Sequence, residues 1–595
     1  METKSEKLSS DRSNGRSSDH IEVSKAVAEA DVAETEALRV AQQEKWRVDA
    51  FIEEMETQLQ ASGRTKGRFE ISHKNTKRFT WLMVAFASMG GLLFGLDQSL
   101  ISGANLFMPR DLGLDAKQVS LVNAGMPLGA VAGAFLLTPA NEILGRRMAI
   151  ILSTIFYTVG AALKAGSNSY AMMITGRLIM GLGVGIETGT VPVYVAETVD
   201  RKLRGNLVSL YQFNIALGEV LGFVVAAIFI KVEGNWRYIL GSSIVFSTIM
   251  FLGMLVLPES PRFLMYKNRT VDSYRVWKRI RDLSSDEAKA EFYVMKESVQ
   301  HEMRESEAKG ARSRWVALDF VKLVGYFVFT GRFLFAYSLC SVPRARRAFV
   351  YANIMILLGQ FVGINGIMYY MSVLMRQIGF DETNATYMSM VGGGALFIGT
   401  IPAIFTMERF GRRFWALLML PGFFVGLIIT GCSYLFDPET EPKKTQGLYL
   451  TGLIIYMLFY GPYACLTWVI PSEVYPTYLR SYGMSVSDAM VFLGSFIITY
   501  NFTAMQEAMT KTGLTLGFFG GIAVLGWFYQ LVFMPETKNL TLEEIEIVFS
   551  KPTKQLVREN LQSSMRTMSL LLRFRFSEAV SAAQRNGEDT ERGSP

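Results

Sequence analysis

Apolar stretches long enough to cross a bilayer recur twelve times along the chain, separated by short polar segments. They cover roughly residues 80–106, 118–140, 148–164, 170–195, 206–230 and 237–257, and then 349–375, 386–406, 414–436, 447–470, 481–505 and 514–534. About twenty residues of helix are needed to cross ~30 Å of hydrocarbon. Every backbone group in lipid must find its partner inside its own segment or a closed barrel, and runs this continuous predict helices. The expected fold is therefore an all-α integral membrane protein with twelve spanning helices.

The polar positions between the runs repeat. Glu142-Ile143-Leu144-Gly145-Arg146-Arg147 follows the second run and Glu408-Arg409-Phe410-Gly411-Arg412-Arg413 follows the eighth, offset by 266 positions. Glu197 precedes Arg204 by seven residues after the fourth run, and Glu473 precedes Arg480 by seven after the tenth. Pro258-Glu259-Ser260-Pro261-Arg262 after the sixth has its counterpart in Pro535-Glu536-Thr537-Lys538 after the twelfth. Paired signatures at matching helix ends are the mark of a transporter built from two duplicated six-helix halves. The expected organisation is a tail at 1–78, a bundle at 79–260, a middle loop at 261–347, a second bundle at 348–536 and a tail at 537–595. The acids and bases of these signatures, where helices leave the membrane, are read as gate charges whose ion pairs latch the two halves together.

Composition agrees: 50% of 595 residues are hydrophobic, 19% are charged, and the mean hydropathy is +0.23. A net charge of +7 would point to nucleic acid in a soluble protein. Here the basic residues flank the helices, and orientation accounts for them. Lys74, Lys77 and Arg78 before the first run, Arg262, Lys267 and Arg269 after the sixth, and Arg344, Arg346 and Arg347 before the seventh place both termini and the middle loop in the cytoplasm. The same orientation puts Asn384-Ala385-Thr386 outside, as a glycosylation acceptor. The start of the chain lacks a secretory apolar core, so the first run acts as its own uncleaved targeting signal. The stretch from His20 to Leu59 reads as a soluble helix. One apolar segment at 323–339, broken by Arg332, is read as interfacial, because a further span would invert the second half against the repeat. Cys340, Cys432 and Cys465 have no metal spacing, and their odd number excludes a fully paired disulfide framework.

Ionisable groups inside membrane helices cost several kcal/mol unless paired or wetted, so each is a functional candidate. Asp97, Arg177, Glu219 and Asp488 stand out. Asp97 lies in Gly95-Leu96-Asp97-Gln98-Ser99, a polar, glycine-bearing interruption expected to bend and hold water. Asp97 and Arg177 read either as a static ion pair or as a proton-coupling device, since a shielded carboxylate that loses its arginine takes up a proton. Glu219 follows Gln212 by two helical turns and shares its face. Gln360, Asn365, Tyr369, Tyr370 and Trp468 supply groups that bond hydroxyls or stack on a ring's C–H surface. Taken singly, such groups also serve as helix-to-helix glue. Asp488, after Ser485 and Ser487, reads either as a helix-end cap or as a site residue. Three histidines in soluble segments build no catalytic constellation, so no enzyme, cofactor or metal is expected.

Gly176-Arg177, Pro192-Val193-Tyr194-Val195-Ala196-Glu197, Arg204-Gly205, Pro258-Glu259-Ser260-Pro261-Arg262, Gly363-Ile364-Asn365 with Tyr369-Tyr370, and Pro471-Ser472-Glu473 together resemble the sugar porter family of the major facilitator superfamily. The resemblance runs over roughly residues 80–545. It implies two six-helix bundles, alternating access, proton symport through Asp97 and Arg177, and hexose ligands at Gln212, Gln360, Asn365 and Trp468. Three family amides are replaced here, by Gly359, Leu396 and Val491. With acidic Glu219 added, the expected substrate shifts from glucose to another polyhydroxy compound: myo-inositol, a polyol or a disaccharide. The expected partners are that substrate, a proton and the bilayer of the plasma membrane, and no nucleic acid. A facilitative carrier and a sugar sensor that does not transport are the alternatives.

Overall fold

The computed structural model describes residues 42–61 (44 excepted), 76–198, 204–308 (284 excepted), 343–475, 480–538, 545 and 548–573. The apolar segment at 323–339, with Arg332 and Cys340, lies outside the described residues.

Twelve helices among the described residues are long and apolar enough to span a membrane. They are α1 (Thr76–Ala104), α2 (Ala116–Ile143), α3 (Arg146–Ala165), α4 (Tyr170–Thr198), α5 (Arg204–Phe229) and α6 (Asn235–Val256) in the first half. The second half holds α7 (Pro343–Tyr369), α8 (Glu382–Phe410), α9 (Arg412–Ser433), α10 (Pro442–Val474), α11 (Arg480–Met509) and α12 (Gly513–Phe533). The two glycine-arginine-arginine turns, α2 to α3 and α8 to α9, share their backbone conformation at the glycine. Gly145 has φ 91° and Gly411 has φ 95°, a region that glycine enters without strain. All twelve helices run between this signature face and the opposite one.

Among the described residues the halves meet along five main helix pairs: α2 on α11, α5 on α8, α1 on α7, α5 on α10 and α4 on α11. Within the first half, α1 packs on α5 so closely that a Cβ on Gly95 would lie 1.9 Å from the carbonyl oxygen of Ile215. The glycine therefore serves backbone contact, and α1 runs straight through the expected interruption as helix. The bend occurs in α7 instead. It stops at Phe361, passes through Gly363 at φ 92° and resumes at Ile364, with the Phe519 ring of α12 against the break.

The amphipathic helix Thr270–Ile280 and the longer Asp286–Ala308 follow α6 on the signature face. A helical segment at 45–61 lies on them. Phe51 stacks on Phe292 with ring centroids 5.9 Å apart, and Lys296 sits 4.0 Å from the Phe51 ring. Lys45 pairs with Asp286 at 2.7 Å and Lys278 with Glu56 at 2.9 Å.

Candidate functional site

Asp97 is completely buried, and so are the two cations that hold it. Its Oδ2 meets Arg177 Nη1 of α4 at 2.5 Å, and its Oδ1 meets Lys164 Nζ of α3, also at 2.5 Å. The sequence reading found the arginine and missed the lysine. Arg177 is further fixed by helix 2 backbone, with Nε donating to the Val122 carbonyl at 2.9 Å and Nη2 to that of Asn123 at 3.0 Å. Lys164 has one weak additional partner, the thioether of Met180 at 3.3 Å.

This charged cluster reaches the second half through neutral groups. Gln98, next to Asp97, donates to Asn365 Oδ1 at 2.9 Å, and the amide of Asn365 donates to Gln360. Asn105 donates to Asn123 at 3.0 Å and to the Tyr369 carbonyl at 3.1 Å. The Tyr369 ring lies 5.8 Å from the Arg177 guanidinium carbon, within cation–π reach. Its buried hydroxyl has no partner among the described residues. Tyr370 turns the other way, stacked on Phe502 at 5.1 Å, and lines a pocket of about 250 Å³ toward the opposite face with Asn105, Leu114, Val119 and Gln377.

Toward the signature face, Trp468 Nε1 of α10 donates to Gln212 Oε1 of α5 at 2.8 Å, and the indole packs edge-on against Tyr211. Glu219 is buried on the same helix, two turns along, with Oε2 unpartnered, and it lies within electrostatic reach of Tyr460 on α10. The Tyr460 hydroxyl in turn donates to the carbonyl of Gly359 at 3.4 Å. Tyr463 explains the missing amide at 359, because its ring occupies the space a side chain there would need. Leu396 and Val491 are buried apolar contacts. Gln212, Gln360 and Trp468 thus line the interface of the halves, each no more than 5% exposed.

A sequence model of the family described as "Sugar (and other) transporter" matches residues 83–549. The chain belongs to that family. This sugar porter is 64% identical over 553 residues to the myo-inositol transporter FST1 of Gibberella moniliformis, covering 93% of each chain. It is 27% identical over 568 residues to the human proton myo-inositol cotransporter, covering 81% of this chain and 84% of that one. In fold it is similar to the major facilitator proton:xylose symporter XylE bound to 6-bromo-6-deoxy-D-glucose, with a TM-score of 0.66 at 21% identity, over 80% of this chain and 100% of that one. The protein is a multi-pass membrane transporter, not an enzyme.

The porter's signature charges pair within each half, where the sequence reading had them latching one half to the other. Arg146 meets Glu197 at 2.9 Å in the first half, and Arg412 meets Glu473 at 2.7 Å in the second. Glu259 accepts from the backbone N–H of Arg147, and Glu536 from those of Arg412 and Arg413. A carboxylate at a helix N-terminus satisfies orphan amides and the helix dipole together. Burial nevertheless pushes both carboxyls up from their ordinary range, with the amide bonds opposing it. The Arg147 side chain caps the carbonyls of Met254 and Leu255 at the end of α6, and Arg413 does the same for Leu531 and Met534 of α12. Glu142 and Arg262 are partly buried at the same face. The side chains of Arg204, Glu408 and Arg480 lie outside the described residues.

Two further acids matter. Glu187 of α4 is 2% exposed, with neither oxygen partnered among the described residues, and it fills the notch left by Gly90 of α1. Asp488 of α11 is equally buried and reaches across to α4, where a Cβ on Gly189 would lie 2.4 Å from its Oδ2. It touches the other half and is no helix-end cap. The sequence reading passed over Glu187, a single acid inside the fourth apolar run.

Proposed function

We propose that this porter carries myo-inositol or a related polyol across the plasma membrane by proton-coupled alternating access, with its termini and signature face in the cytoplasm. The observation that carries the reading is the chain of buried polar contacts across the halves, Gln98 to Asn365 to Gln360 and Gln212 to Trp468. Buried amides retain such partners because leaving them unmade costs about 1–3 kcal/mol each. A cyclitol wedged between the halves replaces these bonds with its own hydroxyls, one acceptor or donor at a time. Gln212, Glu219, Gln360, Asn365, Tyr369 and Trp468 are the substrate-facing set, with Tyr370 on the pocket at the opposite face, and Asp97 with Arg177 is the coupling site.

Polyol specificity is supported by the name of the relative at 64% identity and by the replaced family amides. Coupling is supported by the buried Asp97 and Arg177, since an acid and a base that lie 0% exposed inside lipid need a purpose beyond packing. The test is uptake of radiolabelled hexoses, pentoses, polyols and myo-inositol in a transporter-null host, with external pH recorded. Accumulation of myo-inositol accompanied by external alkalinisation is expected. Uptake only down the gradient would make it a facilitative carrier, and binding without flux would make it a sensor.

A further inference from the structure

The coupling site holds one more charge than symport through an Asp–Arg pair requires. We propose that Lys164, rather than Asp97, takes up and releases the transported proton, while Asp97 stays ionised between two cations. This rests on the proton-symport reading above.

Charge balance favours this assignment. A guanidinium is the side-chain cation that does not give up its proton in proteins, whereas a lysine ammonium can. With Asp97 ionised, a neutral Lys164 leaves the buried cluster uncharged, and a protonated one leaves it with a single positive charge. Protonating Asp97 instead would strand two cations in a fully buried site around a neutral acid. Removing the partner of a buried charge is strongly unfavourable, and here it would happen twice at once.

Hydrogen bonding points the same way. An ammonium has three donors. Nζ of Lys164 meets Asp97 Oδ1 and the Met180 thioether, which is a weak acceptor. Arg177, by contrast, spends its donors on Asp97 and two backbone carbonyls. The lysine is therefore the more loosely satisfied of the two cations.

It is fully buried in this conformation, and its place in the fold sets the side it would open to. Lys164 stands in the last turn of α3, at the opposite, external face, two residues before Gly166 ends the helix. The ionisable groups of the surrounding elements are Asp97 on α1, Arg177 and Glu187 on α4, Tyr157 on α3 itself, Tyr369 on α7, and Arg237 at the start of α6. Arg237 is occupied by the carbonyls of Ala165 and Ser167. In the cycle, the Nζ lone pair takes a proton from external water, substrate binding closes the halves, and the proton leaves to cytoplasmic water after they reopen.

The test uses the full-length protein in proteoliposomes, with labelled myo-inositol and a pH-sensitive dye in the lumen. Lys164→Gln is expected to exchange substrate at rates within a few-fold of wild type, yet to lose both accumulation and substrate-driven proton movement. Accumulation with the wild-type proton movement in this variant would return the role to Asp97. Lys164→His gives the independent readout. Imidazole binds its proton about four pH units less tightly than an amine, so the coupled activity should decline at a distinctly lower external pH than in wild type. An unshifted profile would overturn the proposal. Absence of proton movement in the wild-type protein would instead overturn symport itself.

Discussion

Trp468 and Gln212 join the two halves of the transporter through one indole-to-amide hydrogen bond of 2.8 Å. Neither side chain belongs to the half that the other belongs to, so the contact must break when the interface opens or a ligand enters it. Trp468→Phe keeps the aromatic face toward Tyr211 and removes only the donor. A buried polar contact of this kind is worth about 1.4 kcal/mol, or a tenfold effect. On the proposed reading the freed indole N–H donates to a substrate hydroxyl, so the KM for myo-inositol uptake should rise about tenfold with little change in maximal rate.

Asp97→Asn removes the anion that holds Lys164 and Arg177 together. The accumulation ratio should fall to that of passive equilibration, while exchange of labelled for unlabelled substrate across the membrane persists. Retained concentrative uptake would defeat proton coupling at this cluster and leave the transporter assignment standing.

The signature ion pairs close within each half, and their energetics should show it. Arg146→Ala and Glu197→Ala share one contact, and their combined effect on thermal unfolding in detergent should fall short of the sum by about 1 kcal/mol. Arg146→Ala and Arg412→Ala act in different halves and should add within about 0.5 kcal/mol. Strong coupling between Arg146 and Arg412 would restore the latch between halves.

The helical segment at 45–61 should leave its seat in acid. Lys45 beside Asp286 and Lys278 beside Glu56 hold those carboxyls below the usual carboxylate range, mainly through hydrogen bonds to the ammonium groups. A carboxyl lowered on docking favours the docked state above its free pKa and loses that contribution as pH falls through the docked value. A fluorophore pair at positions 49 and 297 should therefore separate as pH drops below about 4, and high salt should produce the same separation at neutral pH. Separation that increases toward alkaline pH would reverse the sign.

Much of this molecule can be read from its chain. Twelve apolar runs and three repeated charged signatures determine the helices and their pseudo-symmetry, because both are local patterns. Long-range partners are harder. Lys164 closes the third run, where a lysine ordinarily snorkels to the headgroups, and nothing local indicates that Asp97, 67 residues earlier, will claim it. Glu187 sits between Ile186 and Thr188 in a glycine-rich run, where bulk hydropathy hides one acid. The signature charges were expected to latch the halves together, but Arg146 and Arg412 find Glu197 and Glu473 in their own halves, partners that the spacing along the chain does not reveal. The glycines of α1 looked like a place to bend, yet only the neighbouring α5 backbone reveals that they serve close packing.

The break at Gly363 divides α7 into two lengths, with Gln360 on one and Asn365 on the other, and the contact between their amides spans the joint. On the proposed reading, a cyclitol that took the place of that contact would set the angle between the two lengths. Recognition and permission to pass would then be a single mechanical event, and a molecule too small to touch both arms would be held without being let through.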